Sequence, residues 1–197
     1  MQQVLHSSMS GRWLLLAYRA PQQPSTARAA AWRLLKGSGA LYLQQSVCLL
    51  PDRPSARETI GRVRAFIEEA GGETTLLEIA RISPASETVL RARFNALRES
   101  EYRELLDRCA AFHEELRREA ARGHFSFAEV EENEDDLVKL RAWLRKIRTR
   151  DVFGCPLASD ADAAVGRCAA ELDTFTRRVL AREGVGQAGR KRTRSRS

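Results

Sequence analysis

The chain has 197 residues, 43% of them hydrophobic, and a formal net charge of +7 at pH 7. This hydrophobic content excludes wholesale disorder, and the length suits one sizeable domain or two small ones. The charge is uneven: residues 1–98 contain 13 basic and 7 acidic side chains, residues 99–184 contain 15 and 19, and residues 185–197 contain five basic and no acidic ones. We therefore expect a polyanion site in the first half of the chain or at its end.

Residues 13–82 predict an α+β domain with the order strand, helix, strand, strand, helix, strand. The predicted elements are a strand at Trp13–Tyr18, a helix from Ser25 or Thr26 to Lys36, extended segments at Leu41–Ser46 and Val47–Leu50 with a break or bulge, a helix at about Ala56–Ala70, and a strand at Thr74–Ile79. This order is that of the ferredoxin-like βαββαβ domain, in which two helices cover one face of an antiparallel sheet. The other face is then open for a partner.

Residues 83–184 change to a helical period, with mostly apolar positions three and four residues apart. These positions are Tyr102, Leu105, Cys109, Phe112 and Leu116; Val130, Asn133, Leu137, Leu140, Leu144 and Ile147; and Val165, Cys168, Leu172, Phe175 and Val179. Three such helices with short links predict an antiparallel three-helix bundle. Residues 185–197, rich in Gly, Arg and Ser, predict a disordered basic tail.

The first predicted helix is the best candidate for a DNA-binding surface. Arg28, Arg33 and Lys36 fall on the side opposite its small apolar residues, with Trp32 between them, and Arg19 at the end of the first strand extends the stripe. Cations neutralise phosphates and an indole packs on sugars or bases. The alternative is an ordinary solvated helix face, with Trp32 packed against the later helices.

The end of the chain offers a second phosphate-binding element. Its five cations are Arg190, Lys191, Arg192, Arg194 and Arg196. They predict affinity for DNA without sequence specificity.

No catalytic, metal or cofactor site is indicated, and we expect a protein that is not an enzyme. The first predicted strand ends in Tyr18 and Arg19, whereas small CRISPR-associated nucleases of similar element order carry a metal-binding Asp there, and a guanidinium cannot ligate Mg²⁺. His6, His113 and His124 are not part of any recognisable catalytic constellation.

The cysteines never form the Cys-x-x-Cys pairs of zinc modules or thioredoxin-like sites. Cys109 and His113 have the i, i+4 spacing of two metal ligands, but core packing with a satisfied imidazole is the favoured interpretation. Cys168 and Cys48 are expected to be buried, inert thiols. Cys155 lies in an apparent loop and is the thiol that could react with an oxidant.

No apolar run approaches the roughly 20 residues of a membrane helix. Residues 1–12 lack the features of a secretory signal and are expected to be a leader on a cytoplasmic protein.

Several short motifs follow one another along the chain: Trp13–Leu16, Thr26–Arg28, Trp32–Lys36, Leu49–Pro51, Phe125–Glu129, Leu137–Ile147 and Arg150–Gly154. In order and spacing they resemble the N-terminal domain of the chromate-resistance regulators of the ChrB type. The resemblance implies a bacterial cytoplasmic protein that binds promoter DNA and responds to chromate by releasing a resistance operon.

Chromate is a tetrahedral dianion, so arginines are its expected ligands and no metal is needed. Arg141, Arg145 and Arg148 lie at i, i+4 and i+7 on one side of a predicted helix and form the candidate oxyanion site. The alternative for these arginines is ion pairing with acids of neighbouring helices.

Family members commonly continue into a second, C-terminal domain, whereas this chain ends after the helical region. We therefore expect either a regulator, acting as a homodimer or with a partner, or an accessory interaction module that works with a separately encoded sensor domain.

Overall fold

The computed structural model describes residues 12–21 and 26–194, with side chains described as far as Arg182. Its elements are β1 (Trp13–Arg19), α1 (Thr26–Gly37), β2 (Leu41–Gln44), β3 (Val47–Pro51), α2 (Pro54–Glu69), β4 (Glu73–Ile79), α3 (Pro84–Arg122), α4 (Phe127–Arg150) and α5 (Ala158–Arg194). A four-stranded antiparallel sheet followed by helices confirms the predicted α+β class. Residues 1–11 of the predicted leader, and Ser25, lie outside the described residues.

The sheet has the order β2-β3-β1-β4, and each strand is antiparallel to its neighbours. Alternate side chains of a strand face opposite sides of the sheet. Leu14, Leu16 and Tyr18 of β1 therefore enter one core together with Ala31 of α1 and Ile60 of α2. The continuous apolar run of β1 reflects burial of both of its faces, since Trp13 on the opposite face is buried as well.

A tight turn separates β2 from β3, where the sequence predicts a break or bulge. Ser46 has φ 61°, a left-handed conformation that is uncommon for a residue with a side chain, and the register shifts between Tyr42 and Gln44. The Ser46 carbonyl accepts a hydrogen bond from the Tyr18 backbone amide at 2.9 Å. The turn is thereby fixed beside the end of β1.

The sheet face opposite α1 and α2 is partly covered by the beginning of α3. The rings of Trp13 and Phe94 lie 5.6 Å apart, and both side chains are buried. The chain divides into two compact units, Met1–Phe94 and Asn95–Ser197, and this contact lies within the first of them. Leu77 of β4 remains 52% exposed, so part of this face is open.

The second unit has a core to which α3, α4 and α5 all contribute. Every position of the predicted helical repeat is buried, from Tyr102 to Val179. Ser126 caps α4 by accepting a hydrogen bond from the Glu129 amide at 3.3 Å, which satisfies one free donor at the helix start. No helix in the described part of the chain has an apolar stretch long enough to cross a membrane.

The link between α4 and α5 is held by Asp151. Its carboxylate accepts hydrogen bonds from the Cys155 amide at 2.9 Å and from the Tyr102 hydroxyl at 3.1 Å. Arg98, buried in the same region, forms an ion pair with Glu101 at 2.9 Å. These polar contacts give the Arg150–Gly154 motif a structural role in joining the helices.

Helix α5 extends to Arg194 and so includes most of the segment 185–197, where the sequence predicts a disordered tail. The last proline of the chain is Pro156, and a helix without a proline inside it can propagate residue by residue. Residues 195–197 lie outside the described part of the chain.

Replacing Gly72 with alanine should destabilise the first unit. A Cβ at Gly72 would lie 2.5 Å from the Arg19 carbonyl oxygen and 2.7 Å from Ile67 Cγ2, so backbone must move. We expect Gly72→Ala to lower the free energy of unfolding by about 1–3 kcal/mol. In a Trp143→Phe background the two remaining tryptophans, Trp13 and Trp32, report urea unfolding of this unit.

The matched control is Gly61→Ala, because a Cβ at Gly61 inside α2 meets nothing within 4 Å. Alanine is the better helix former, so this variant should keep the stability or raise it by up to about 1 kcal/mol. Equal effects of the two substitutions would contradict the close approach at Gly72.

Candidate nucleic-acid interface

Helix α1 separates its apolar and basic residues as the sequence predicts. Its buried residues are Ala27, Ala31 and Leu35, and its exposed cations are Arg28, Arg33 and Lys36. Alanine at two of the buried positions lets the helix pack close to the sheet. The basic side chains are left in water, where they can meet a polyanion.

Trp32 lies among these cations and is 47% exposed. The Lys36 ammonium sits 4.8 Å from the centre of its ring, within the range of a cation–π contact. An exposed indole with a cation over its face has the composition of a surface that binds sugar–phosphate or an unstacked base.

A groove of about 980 Å³ opens where β1 ends, between α1 and the turn after β2. It is lined by Arg19, Arg28 and Trp32, three of the residues predicted to contact DNA, and by Tyr42 and Ser46. Two guanidinium groups and an indole around one concave surface are suited to an anionic ligand with a planar part.

Tyr18 and Tyr42 add hydroxyl groups to this groove. Their oxygens lie 3.2 Å apart, and either one can be the donor. Burial and the hydrogen bond to Tyr18 raise the pKa of Tyr42 well above its ordinary range. Tyr42 therefore stays protonated. Because the two hydroxyls share one mutual hydrogen bond, a second O–H can donate to a ligand.

Arg19 forms an ion pair with Glu73 at 2.6 Å, and both side chains are largely exposed. Exposed pairs of this kind contribute about 0–1 kcal/mol. A phosphate that approaches Arg19 can therefore displace Glu73 at little cost.

The other predicted DNA contacts lie outside the groove. Arg33 and Lys36 continue along α1, and Arg33 Nε donates to the Ala29 carbonyl at 3.3 Å. The backbone of Arg190, Lys191, Arg192 and Arg194 belongs to α5, whereas their side chains and the whole of Arg196 lie outside the described residues.

The candidate oxyanion ligands Arg141, Arg145 and Arg148 are all exposed on α4. Arg148 forms an ion pair with Asp162 of α5 at 2.7 Å, the alternative that the sequence left open. Arg141 lines a groove of about 360 Å³ that also contains Glu134 and Asp173. An anion bound here would compete with these carboxylates.

Cys155 lies in the link between α4 and α5, as the sequence predicts, but its side chain is only 4% exposed. Burial raises the pKa of this thiol, which disfavours its reaction with an oxidant. Cys48 is buried as predicted, and burial raises its pKa to about 12. Both thiols are therefore poor nucleophiles.

His113 is satisfied, as the favoured interpretation of its spacing from Cys109 predicts. Its Nδ1 lies 2.5 Å from Glu171 Oε2 of α5. Within the described residues no group of three or more His, Cys, Asp or Glu side chains is placed to hold a metal ion.

The sequence predicts only a break or bulge where the turn lies, and it does not indicate the hydroxyl pair at the groove. The polar run Gln44–Ser46 between two apolar strands was a usable signal for a tight turn. Nothing in the sequence pairs Tyr18 with Tyr42, because that contact depends on the order of strands in the sheet.

Comparison with known proteins agrees with the resemblance. The sequence model of the family described as "Protein ChrB, N-terminal" matches residues 28–185. The chain is also similar to "Protein ChrB" of Cupriavidus metallidurans, with 33% identity over 100 residues. That match includes 51% of this chain and 30% of the relative, so the chain covers less than a third of the relative's length.

The raised pKa of Tyr42 predicts a loss of stability in alkali. Below its ordinary pKa of 10.0 the Tyr42 hydroxyl is protonated in both the folded and the unfolded chain. As the pH rises further, the unfolded chain ionises first and stability falls. Tyr42→Phe should weaken this dependence, measured as the urea midpoint between about pH 9 and about pH 11.

Tyr102 also has a pKa raised by burial, but it is present in both the wild type and the Tyr42→Phe variant. The difference in pH dependence between these two proteins therefore reports on Tyr42. An identical fall in stability with and without the Tyr42 hydroxyl would contradict its assignment as a buried, protonated group.

Proposed function

The chain belongs to the ChrB N-terminal family, and because this membership suggests a role in chromate resistance, we propose that the protein is a chromate-responsive transcriptional regulator of a resistance operon. The observation that carries the proposal is the groove in which Arg19, Arg28 and Trp32 meet beside the exposed basic face of α1. We propose a non-enzymatic protein of the cytoplasm that binds promoter DNA.

Phosphate neutralisation supplies the affinity in this proposal. The cations of α1 lie on one exposed face, and their spacing lets them follow a DNA backbone. Trp32 and the Tyr18–Tyr42 pair would contribute stacking and a hydrogen bond at the groove. Such contacts, rather than the point charges, can distinguish one sequence from another.

The cations of residues 185–197 would add a second electrostatic contact. Arg190, Lys191, Arg192, Arg194 and Arg196 raise the affinity for any DNA and the rate of encounter. They carry no base readout, so specificity in this proposal rests with the first unit.

Chromate is the proposed effector, with Arg141, Arg145 and Arg148 as its ligands. Binding at Arg148 requires displacement of Asp162, and this exchange gives the oxyanion a means of changing the α4–α5 contact. If chromate favoured a DNA-incompetent state by about 2.7 kcal/mol, operator affinity would fall about a hundredfold. A regulator of this kind would act as a homodimer or with a partner protein.

We also propose the finer assignment of the architecture. The element order of the first unit and its sheet order β2-β3-β1-β4 with antiparallel neighbours support a ferredoxin-like domain. The common core of α3, α4 and α5 supports an antiparallel three-helix bundle.

The proposal is tested by mobility shift on the DNA upstream of the chain's own gene, at graded salt, with chromate and with sulfate as the control oxyanion. We expect specific binding that chromate releases and sulfate does not. Arg28→Ala combined with Lys36→Ala should weaken binding and lower the slope of log K against log salt by about 2, because two phosphate contacts are lost.

The matched control removes two cations elsewhere in the first unit, by Arg62→Ala and Arg81→Ala. Arg62 is exposed on α2, and Arg81 follows the end of β4 that pairs with Trp13, opposite the groove. This variant should keep the wild-type slope. Equal losses in both double variants would mean that net charge, and not the α1 face, binds DNA.

A second candidate function is an accessory interaction module, and the half-exposed Leu77 on the open sheet face favours it. Leu77 pairs with Leu15 in the register, so two apolar side chains lie together on this face. In this case the protein forms a stable complex with a sensor partner and the mobility shift shows no specific DNA binding.

A further inference from the structure

Four side chains of the second unit form a cluster that the proposed DNA binding does not use. Cys168 Sγ lies 3.7 Å from His113 Nε2 and 3.8 Å from the Cys109 backbone carbonyl oxygen. His113 Nδ1 lies 2.5 Å from Glu171 Oε2. Both thiols are buried in the same core, and the contact of Cys168 Sγ with the Cys109 carbonyl brings the two cysteines next to each other. The cluster joins α3 to α5 at one level of the core.

The carboxylate sets the tautomer of the imidazole. With Glu171 as acceptor at Nδ1, the neutral ring carries its proton on that nitrogen and presents the lone pair of Nε2 to Cys168. A thiol, an imidazole that faces it and a carboxylate that orients the imidazole have the arrangement that activates nucleophilic cysteines.

The second thiol decides what such an arrangement can do. A substrate has no space beside Cys168, because both cysteines are buried in one core and Cys168 Sγ lies 3.8 Å from the Cys109 carbonyl oxygen. A nucleophilic thiol beside another thiol instead forms a disulfide once one of them is oxidised.

We propose that Cys109 and Cys168 are a redox-active dithiol that hydrogen peroxide converts into a disulfide between α3 and α5, with His113 as the base for the second step and Glu171 as its positioning residue.

In the first step the Cys109 thiolate attacks peroxide. An S–O bond forms and the O–O bond breaks, which leaves a sulfenic acid on Cys109 and releases hydroxide that takes up a proton to become water. In the second step His113 Nε2 takes the proton of Cys168, whose sulfur attacks Cys109 Sγ. The S–S bond forms, the S–O bond breaks, and the leaving hydroxide takes the proton from the imidazolium. Two thiols and one peroxide thus give one disulfide and two waters.

The acidities of the thiols agree with these roles. The neighbouring Cys168 side chain lowers the pKa of Cys109, and the charge of Arg167 acts in the same direction. Cys168 retains its proton, because the neighbouring Cys109 side chain and burial both raise its pKa. Burial raises the pKa of both Cys48 and Cys155, so Cys109 is the thiol that peroxide should oxidise first.

The cluster reaches solvent through its base. The side chain of His113 is 13% exposed and that of Glu171 is 47% exposed. Peroxide is close to water in size, so it needs little opening of the helices to enter beside the imidazole. Two cysteines surrounded only by apolar side chains would lack such a polar path for peroxide.

The test treats the reduced full chain with hydrogen peroxide, blocks the remaining thiols by alkylation in denaturant, and maps the products by peptide mass spectrometry. We expect a Cys109–Cys168 disulfide to appear before Cys48 or Cys155 is modified. Oxidation of all four cysteines at equal rates, or a disulfide with other partners, would overturn the proposal.

Two variants separate the steps, and circular dichroism confirms that each is folded. Cys168→Ala should accumulate a sulfenic acid at Cys109 that dimedone captures. His113→Asn should form the same disulfide at least about tenfold more slowly, with dimedone-reactive Cys109 as the intermediate. An unchanged rate in His113→Asn would exclude His113 as the base.

Cys155→Ala is the matched control, since this thiol is buried in the same unit but outside the cluster. It should form the disulfide at the wild-type rate. The wild-type product map needs no variant, so the proposal can fail even if a substitution prevents folding. Its failure would leave the proposed DNA binding untouched, because the two rest on different units.

Discussion

Burial of β1 on both faces is the constraint on which the first unit depends. Leu14 and Leu16 fill the core beneath α1 and α2, while Trp13 is buried on the opposite face by Phe94. A central strand with this composition can have only one register, because a shift by one residue would exchange its two faces. The position where the strand leaves the core is thereby fixed, and Arg19 emerges there at the rim of the groove.

The elements that periodicity controls could be predicted from the sequence. The strands, the two helices of the first unit and every buried position of the helical repeats follow from hydrophobic spacing alone. Contacts between distant segments could not. The Tyr18–Tyr42 pair depends on strand order, and the His113–Glu171 contact depends on the register of two helices whose residues are 58 apart in sequence. The burial of Cys155 could not be predicted either, because a link between helices need not be exposed when a carboxylate such as Asp151 accepts hydrogen bonds from its backbone.

The basic and acidic excesses of the sequence lie on different parts of the structure. The excess of cations in residues 1–98 includes a continuous face on α1, whereas the acidic excess of residues 99–184 lies on helices whose exposed charges form many pairs of their own. Pairs such as Lys139 with Asp136 neutralise α4 locally. A polyanion is therefore attracted to the first unit, and the second unit is left for effector binding or redox chemistry, which need local geometry more than net charge.

The central claim is that the α1 face and the groove beside it contact DNA. The most direct measurement is hydrogen–deuterium exchange of the full chain with and without its promoter DNA. The account predicts slower exchange in α1 and in the turn at Gln44–Ser46 when DNA is bound, with no change along α4. Protection confined to α4, or DNA binding that leaves the exchange of α1 unchanged, would contradict it.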